Sequence, residues 1–191
     1  MNVQSEDKRQ RILAATMALI AENGLHATPM SQVSKRSGVS AGTIYHYFSS
    51  KEELINALYL EQKKALYDSA FQGYDIQAPY QARFFRMWRN VFDYLQPRPV
   101  ELSLIEQCAI SPLISAEAKE ACNRYAAQLA GFVMEGIEAG HLKPMDVQLI
   151  LSFIYGSIVS TAKLQLSGLL EVADEHRDAA AQACWDGLKA N

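Results

Sequence analysis

Cysteine is scarce in this chain of 191 residues: Cys108, Cys122 and Cys184 form no close-spaced pair. That excludes a disulfide framework, and with no export signal the three read as reduced thiols of a cytoplasmic protein. The first ten residues, MNVQSEDKRQ, are polar and contain no apolar run that would mark secretion. Long apolar runs are also missing. The longest uncharged run lies between Asp146 and Lys163, spans 16 residues and is interrupted by serines and a glycine. It falls short of a membrane span and suits a buried or subunit-facing helix. Period-two alternation bounded by hairpin turns is absent, which argues against a sheet protein. No histidine, cysteine and carboxylate cluster has metal-ligand spacing, and His26, His46, His141 and His176 are scattered singly. A G-x-S-x-G elbow and a glycine-rich phosphate loop are likewise lacking. An enzyme reading therefore finds no catalytic residue, no metal site and no cofactor to build on.

Charge of one sign is not in excess either, since the formal net charge is −3. Its distribution is more informative. Residues 1–65 carry eight Lys/Arg against six Asp/Glu, and the remainder carries ten against fifteen. A mildly basic head on an acidic body hints at an anionic partner near the amino terminus. Lys8, Arg9 and Arg11 would form a basic arm, or equally an ordinary polar first turn.

What is present is helical periodicity throughout. The spacing predicts an all-α chain of about nine helices. The first runs from about Ser5 to Asn23, with Ile12, Leu13, Thr16, Leu19 and Ile20 as its apolar stripe. A second begins at Thr28-Pro29, with Thr28 as cap, and ends near Ser37-Gly38. A third follows Ser40 and ends near Phe48. Ser50 and Glu53 then fit a capping box that opens a helix reaching about Gly73. Beyond the seam at GYDIQAPY come helices over about 78–95, 100–110, 115–139, 144–167 and 171–189.

The two short helices joined by SGVSA carry the strongest functional signal. In a helix-turn-helix the first helix braces the second, which enters the DNA major groove. Gly38 supplies the left-handed residue of the turn, and Val39 the apolar plug beneath it. Ser40 caps the second helix and leaves its first N–H groups to face phosphate. Gly42, with no side chain, permits close approach of the backbone to DNA.

The stretch TPMSQVSKRSGVSAGTIYHYFSSKEELINALY resembles the DNA-binding head of the TetR family of bacterial transcriptional regulators. The resemblance covers roughly Asp7 to Tyr59 through the framework GVSxGTxYxYFxxKExL, and no comparable motif follows residue 65. It implies a helix-turn-helix domain over residues 1–50, continuing into a linking helix over about 50–72. It further implies a ligand-binding and dimerisation body over residues 51–191. Carried over by position, Thr43, Tyr47 and Lys51 look like phosphate contacts, and at Lys51 the helix dipole favours the same anion. Tyr45 and His46 occupy outward positions and would touch bases or phosphates. Ser31 and Arg36 sit on the bracing helix and would reach the DNA backbone. Neighbouring Lys35 and Arg36 would equally suit a solvated face. Ile44, Phe48 and Leu54 match framework positions of the core.

A single head reads few base pairs, so a linked pair is expected on a palindromic double-stranded DNA operator. The last two long helices, about 144–167 and 171–189, are the candidate homodimer interface. In the first, Val147, Ile150, Leu151, Ile154 and Ile158, with small Gly156, Ser157 and Ser160, leave little polar face, which calls for cover on both sides. In the second, Ala179, Ala180, Ala181 and Ala183 permit close helix approach. The resemblance also implies an effector cavity, for which Tyr59, Trp88, Phe92, Cys108 and Tyr155 are the candidates. They mix rings with polar tips suited to a small amphipathic molecule of unspecified class. Arg86, Arg89, Glu106 and Gln107 are the polar side chains expected nearby. The expected protein is thus a cytoplasmic regulator, a repressor by analogy, with no membrane partner. An all-α enzyme or an interaction adaptor with a vestigial DNA-binding head stays open here, although the intact GTIYHYF and Lys51 argue against both.

Overall fold

The computed structural model describes residues 3–190, with side chains from Asp7 onward. Met1, Asn2 and Asn191, which fall within the expected domain bounds, and the side chains of residues 3–6, which belong to the polar amino-terminal reading, lie outside the described residues. Nine helices and no strand are found among them: α1 (Val3–Asn23), α2 (Met30–Ser37), α3 (Ala41–Tyr47), α4 (Lys51–Ala70), α5 (Tyr80–Leu95), α6 (Pro99–Ala109), α7 (Ala116–Glu138), α8 (Val147–Leu166) and α9 (Asp174–Leu188). One antiparallel bridge pairs Leu142 with Lys189.

The helix starts depart from the sequence reading where a different group takes the cap. Thr28 does not cap α2; its hydroxyl donates to the Gly24 carbonyl at 3.1 Å, and extended Pro29 precedes the helix instead. At α8 the carboxylate of Asp146 accepts from the N–H groups of Gln148 and Leu149. The helix therefore begins at Val147 rather than near Pro144. The Val172 N–H is held by the Gln165 side chain at 2.5 Å, which keeps that residue out of α9. At α4, Ser50 Oγ accepts from the Glu53 N–H at 3.0 Å as expected, but the Glu53 carboxylate reaches back to Ser49 rather than to Ser50.

The chain forms two compact units, residues 1–63 with 100–122, and residues 64–99 with 123–191. In the first, the whole expected stripe of α1 is buried: Ile12, Leu13, Thr16, Leu19 and Ile20. It meets Val33 of α2, Ile44 of α3, Leu54, Ile55 and Leu58 of α4, and Leu104 and Cys108 of α6 in one cluster. Polar Thr16 is tolerated there because its hydroxyl donates to the Ile12 carbonyl at 2.8 Å. Asn56 ties α4 to the segment before α7, donating to the Leu113 carbonyl at 2.8 Å and accepting from the Ser115 N–H at 2.9 Å.

In the second unit, α5 buries Phe84, Met87, Trp88, Val91, Phe92 and Leu95 along one side. Trp88 donates its indole N–H to Ser157 Oγ of α8 at 2.9 Å. Tyr80 is stacked between Phe132, at 4.5 Å, and His141, at 4.9 Å, and its hydroxyl donates to the Phe132 carbonyl at 3.0 Å. A methyl group at Gly136 would overlap that hydroxyl, so the stack demands glycine there. Buried Arg83 pairs with Glu135 and donates to the Tyr74 hydroxyl at 2.7 Å.

α8 runs on through Lys163 to Leu166, so it is longer than the 16-residue uncharged run. It is the one described helix long and apolar enough, by length and composition, to cross a membrane. Its Ile150, Ile154, Ile158 and Ala162 are buried, while Leu149, Phe153 and Leu164 are exposed. Within the chain, then, one side of α8 is covered and the other is open.

Candidate nucleic-acid interface

The geometry of the site begins at the turn between α2 and α3. Gly38 has φ 64° and ψ 23°, the left-handed conformation expected of it, and its N–H donates to the Ser34 carbonyl at 3.1 Å. Val39 is buried beneath the turn. The Ser34 hydroxyl donates to the Val39 carbonyl at 2.7 Å, and the Ser37 hydroxyl accepts from the Val39 N–H at 3.3 Å. From α1, the Arg11 guanidinium donates to the Ser37 carbonyl at 2.6 Å. Arg11 thus fastens the last residue of the bracing helix to the first helix. The sequence reading missed this, because an arginine in a polar first turn carries no local signal of a partner 26 residues away.

Ser40 caps α3, accepting from the Thr43 N–H at 3.2 Å, and its hydroxyl lies 2.9 Å from that of Thr43. The helix is anchored by Ile44 and Phe48, both buried, with Leu54 buried behind them. Tyr45 is 51 % exposed. His46 is exposed beside it, whereas Tyr47 is half-buried with its ring edge-on to His46 at 5.9 Å. The aromatic run is therefore divided into an anchor and an outward-facing surface. Apart from its chain neighbours and the backbone of its own helix, no atom among the described residues lies within 4 Å of where a Cβ at Gly42 would stand. The space beside Gly42 is therefore open to approach from outside the helix.

The cations expected at the interface have partners of unequal strength. Lys51 donates one of its three N–H groups to the His26 carbonyl at 2.9 Å, and among the described residues no carboxylate pairs with it. Arg36 sits in an exposed bidentate pair with Glu22, at 2.6 and 2.7 Å. That pair holds the Glu22 carboxyl below its ordinary range. Ser31 is exposed on the opposite flank of α2. The amino-terminal cations are not a loose arm: Arg9 lies in α1, pairs with Glu61 at 3.1 Å and covers the Phe48 ring.

The effector candidates lie in two separate cores. Tyr59 and Cys108 are buried in that of the first unit, and burial pushes the Cys108 thiol up to about 11. Trp88 and Phe92 are buried in the second, their rings parallel at 5.7 Å, and Tyr155 is half-buried. The second unit has several open clefts among its described residues, two of which are the larger. One, of about 550 Å³, is lined by Tyr74, Phe85, Arg86, Arg89 and Asp93; the other, of about 640 Å³, by Phe153, Ser157, Ser160, Ala180 and Ala183. Arg89 is not free within the first of these, since it pairs with Asp178 at 2.9 Å.

Comparison with known proteins agrees with this arrangement. Residues 12–58 match the model of bacterial regulatory proteins of the tetR family, and residues 79–189 match a tetracyclin repressor-like C-terminal domain. The chain is similar to the fatty acid metabolism regulator protein of Bacillus subtilis, with 28 % identity over 83 % of each chain. It is 31 % identical to an uncharacterized HTH-type transcriptional regulator of Haemophilus influenzae over 56 % of this chain and 57 % of that one. A crystal structure of a TetR family transcription regulator from Marinobacter aquaeolei superimposes over the full length of both chains, with TM-score 0.93 and 26 % identity.

Proposed function

From the premise that this chain belongs to the TetR family of helix-turn-helix transcriptional regulators, we propose that it acts as a cytoplasmic homodimeric repressor. It binds a palindromic operator and is released by a small amphipathic effector. The observation that carries the DNA-reading part is the division of α3. Ile44 and Phe48 are buried, while Tyr45 and His46 are exposed on the same short helix as Gly42. Tyr45 and His46 are the residues we assign to the bases. Ser31, Thr43, Tyr47, Lys51 and the Ser40-capped N–H groups are assigned to phosphates. Residues 1–50 form the reading head in this account, and the helix beginning at Lys51 leads into the body.

The open side of α8 supports the dimer. Leu149, Phe153 and Leu164 are exposed large apolar side chains on a helix that has Gly156 and Ser160 between them. Covering that face with the same face of a second copy, together with exposed Ala179 and Ala183 of α9, removes it from water; Ala181, expected in the interface, is instead buried within the chain. For the effector, the name of the Bacillus relative favours an acyl compound. Trp88, Phe92 and Tyr155 are the side chains we assign to its apolar part. Effector and operator would then oppose each other by reciprocal linkage, with a coupling of about 1–3 kcal/mol.

Footprinting on the promoter beside the coding sequence tests this reading. The expected result is two protected half-sites with centres one helical turn apart, about 34–36 Å, or a multiple of it, and loss of protection on adding decanoate. An unprotected promoter at low salt would overturn the DNA-binding reading. Protection indifferent to decanoate would remove the acyl effector alone.

A further inference from the structure

The two neighbouring cations of α2 point to different tasks. Val33 and Ser37 face inward, which leaves two exposed flanks on the helix, Ser31 with Lys35 and Gln32 with Arg36. Each pair is spaced i, i+4 and so shares a face. The Gln32/Arg36 flank borders the end of α1, because both terminal nitrogens of Arg36 bond to the two oxygens of Glu22. The opposite flank carries exposed Ser31 and exposed Lys35, and among the described residues Lys35 has neither a hydrogen-bond partner nor an ion-pair partner.

We propose that Lys35, not Arg36, is the cation of the bracing helix that neutralises a DNA phosphate, and that Arg36 is a positioning residue that ties α2 to α1. This inference rests on the reading of the head as a DNA-binding module. Its physical basis is charge. A cation contributes to binding by releasing counterions from the phosphates it neutralises, and each neutralised phosphate adds about 0.9 to the slope of log affinity against log salt. Lys35 brings a full uncompensated charge to the open flank. Arg36 brings a charge already offset by Glu22, so little counterion release follows from it. Arg36 and Arg11 then do related work: Arg36 holds the exposed flank of α2 to α1, and Arg11 holds its last carbonyl.

The test needs no knowledge of the operator, because phosphate contacts act on any sequence. Full-length wild type, Lys35→Gln, Arg36→Gln and Arg36→Lys are titrated onto a 30-base-pair mixed-sequence duplex by fluorescence anisotropy at several salt concentrations. The result expected is that Lys35→Gln lowers the salt slope by about 0.9 for each head engaged, with an unchanged thermal unfolding curve. Arg36→Gln keeps the wild-type slope, and Arg36→Lys restores any loss of thermal stability that Arg36→Gln incurs. An unchanged slope in Lys35→Gln, or an equal drop in Arg36→Gln, overturns the assignment while leaving the DNA-binding reading intact. Failure of the wild type to bind the duplex at low salt overturns both.

Discussion

At the scale of single residues, the proposed reading of DNA falls on Tyr45 and His46. Both are exposed on a helix that is anchored by Ile44 and capped by Ser40. Replacing His46 with alanine is expected to change which operator variants bind best and to leave non-specific affinity nearly intact. Selection from a randomised duplex pool would detect the change, and an unaltered preferred sequence would count against base contact. Lys51→Ala, by contrast, is expected to weaken binding across all sequences alike. In the second unit the sharpest constraint falls on Gly136. The Tyr80 ring is fixed by Phe132, by His141 and by its own hydrogen bond, so a methyl group at 136 cannot be accommodated by swinging it away. Gly136→Ala should destabilise the protein by about 1–3 kcal/mol, the usual cost of overpacking, and urea unfolding would measure it. The Arg83–Glu135 pair gives the acid limb of stability a definite sign. Hydrogen bonds from Arg83 hold the Glu135 carboxyl below its ordinary value. Its contribution is therefore present above the unfolded-state value, near 4.5, and is lost as pH falls through the lower folded-state value. Glu135→Gln should flatten that limb of a stability profile below about pH 5, modestly, because the carboxylate is half exposed.

At the scale of elements, α3 shows how a helix of seven residues persists. Too short to be stable on its own, it depends on the Ser40 cap, on Ile44 and Phe48, and on the turn that Gly38 permits. Ser40→Ala is expected to cost about 0.5–2 kcal/mol through the lost cap, and to lower DNA affinity further if its hydroxyl or the first N–H groups meet phosphate. Much of this element was legible in the sequence, because glycine in a turn, serine at a cap and paired apolar residues are local signals. The stripe of α1 was legible for the same reason. What the sequence did not disclose was the set of long-range polar fastenings. Arg11 to the Ser37 carbonyl, Arg36 to Glu22 and Lys51 to the His26 carbonyl join residues that are far apart in the chain. Their residue types suit a solvated face equally well, so only the fold distinguishes a brace from a free charge. The cap expected at Thr28 gave way to extended Pro29, whose φ is already fixed, and the start expected near Pro144 fell at Val147, where the Asp146 carboxylate reaches free N–H groups.

At the scale of the whole molecule, the open apolar side of α8 and the outward surface of α3 lie in different units of the chain, and each has its own proposed partner. For the first, Phe153→Asp is expected to abolish dimerisation, since a carboxylate would be buried without a counter-charge. Sedimentation would then report a monomer, and operator affinity would fall with the loss of the linked second head. The central claim is that α3 reads DNA sequence through Tyr45 and His46. It is tested most directly by fluorescence anisotropy on the promoter duplex beside the coding sequence and on a scrambled duplex of equal length. The comparison is between wild type and the Tyr45→Ala/His46→Ala double variant. The account predicts that the wild type prefers the promoter by about a thousandfold or more, while the double variant binds both duplexes equally and with the wild type's affinity for the scrambled one. A double variant that keeps the full preference, or a wild type that has none, would contradict it.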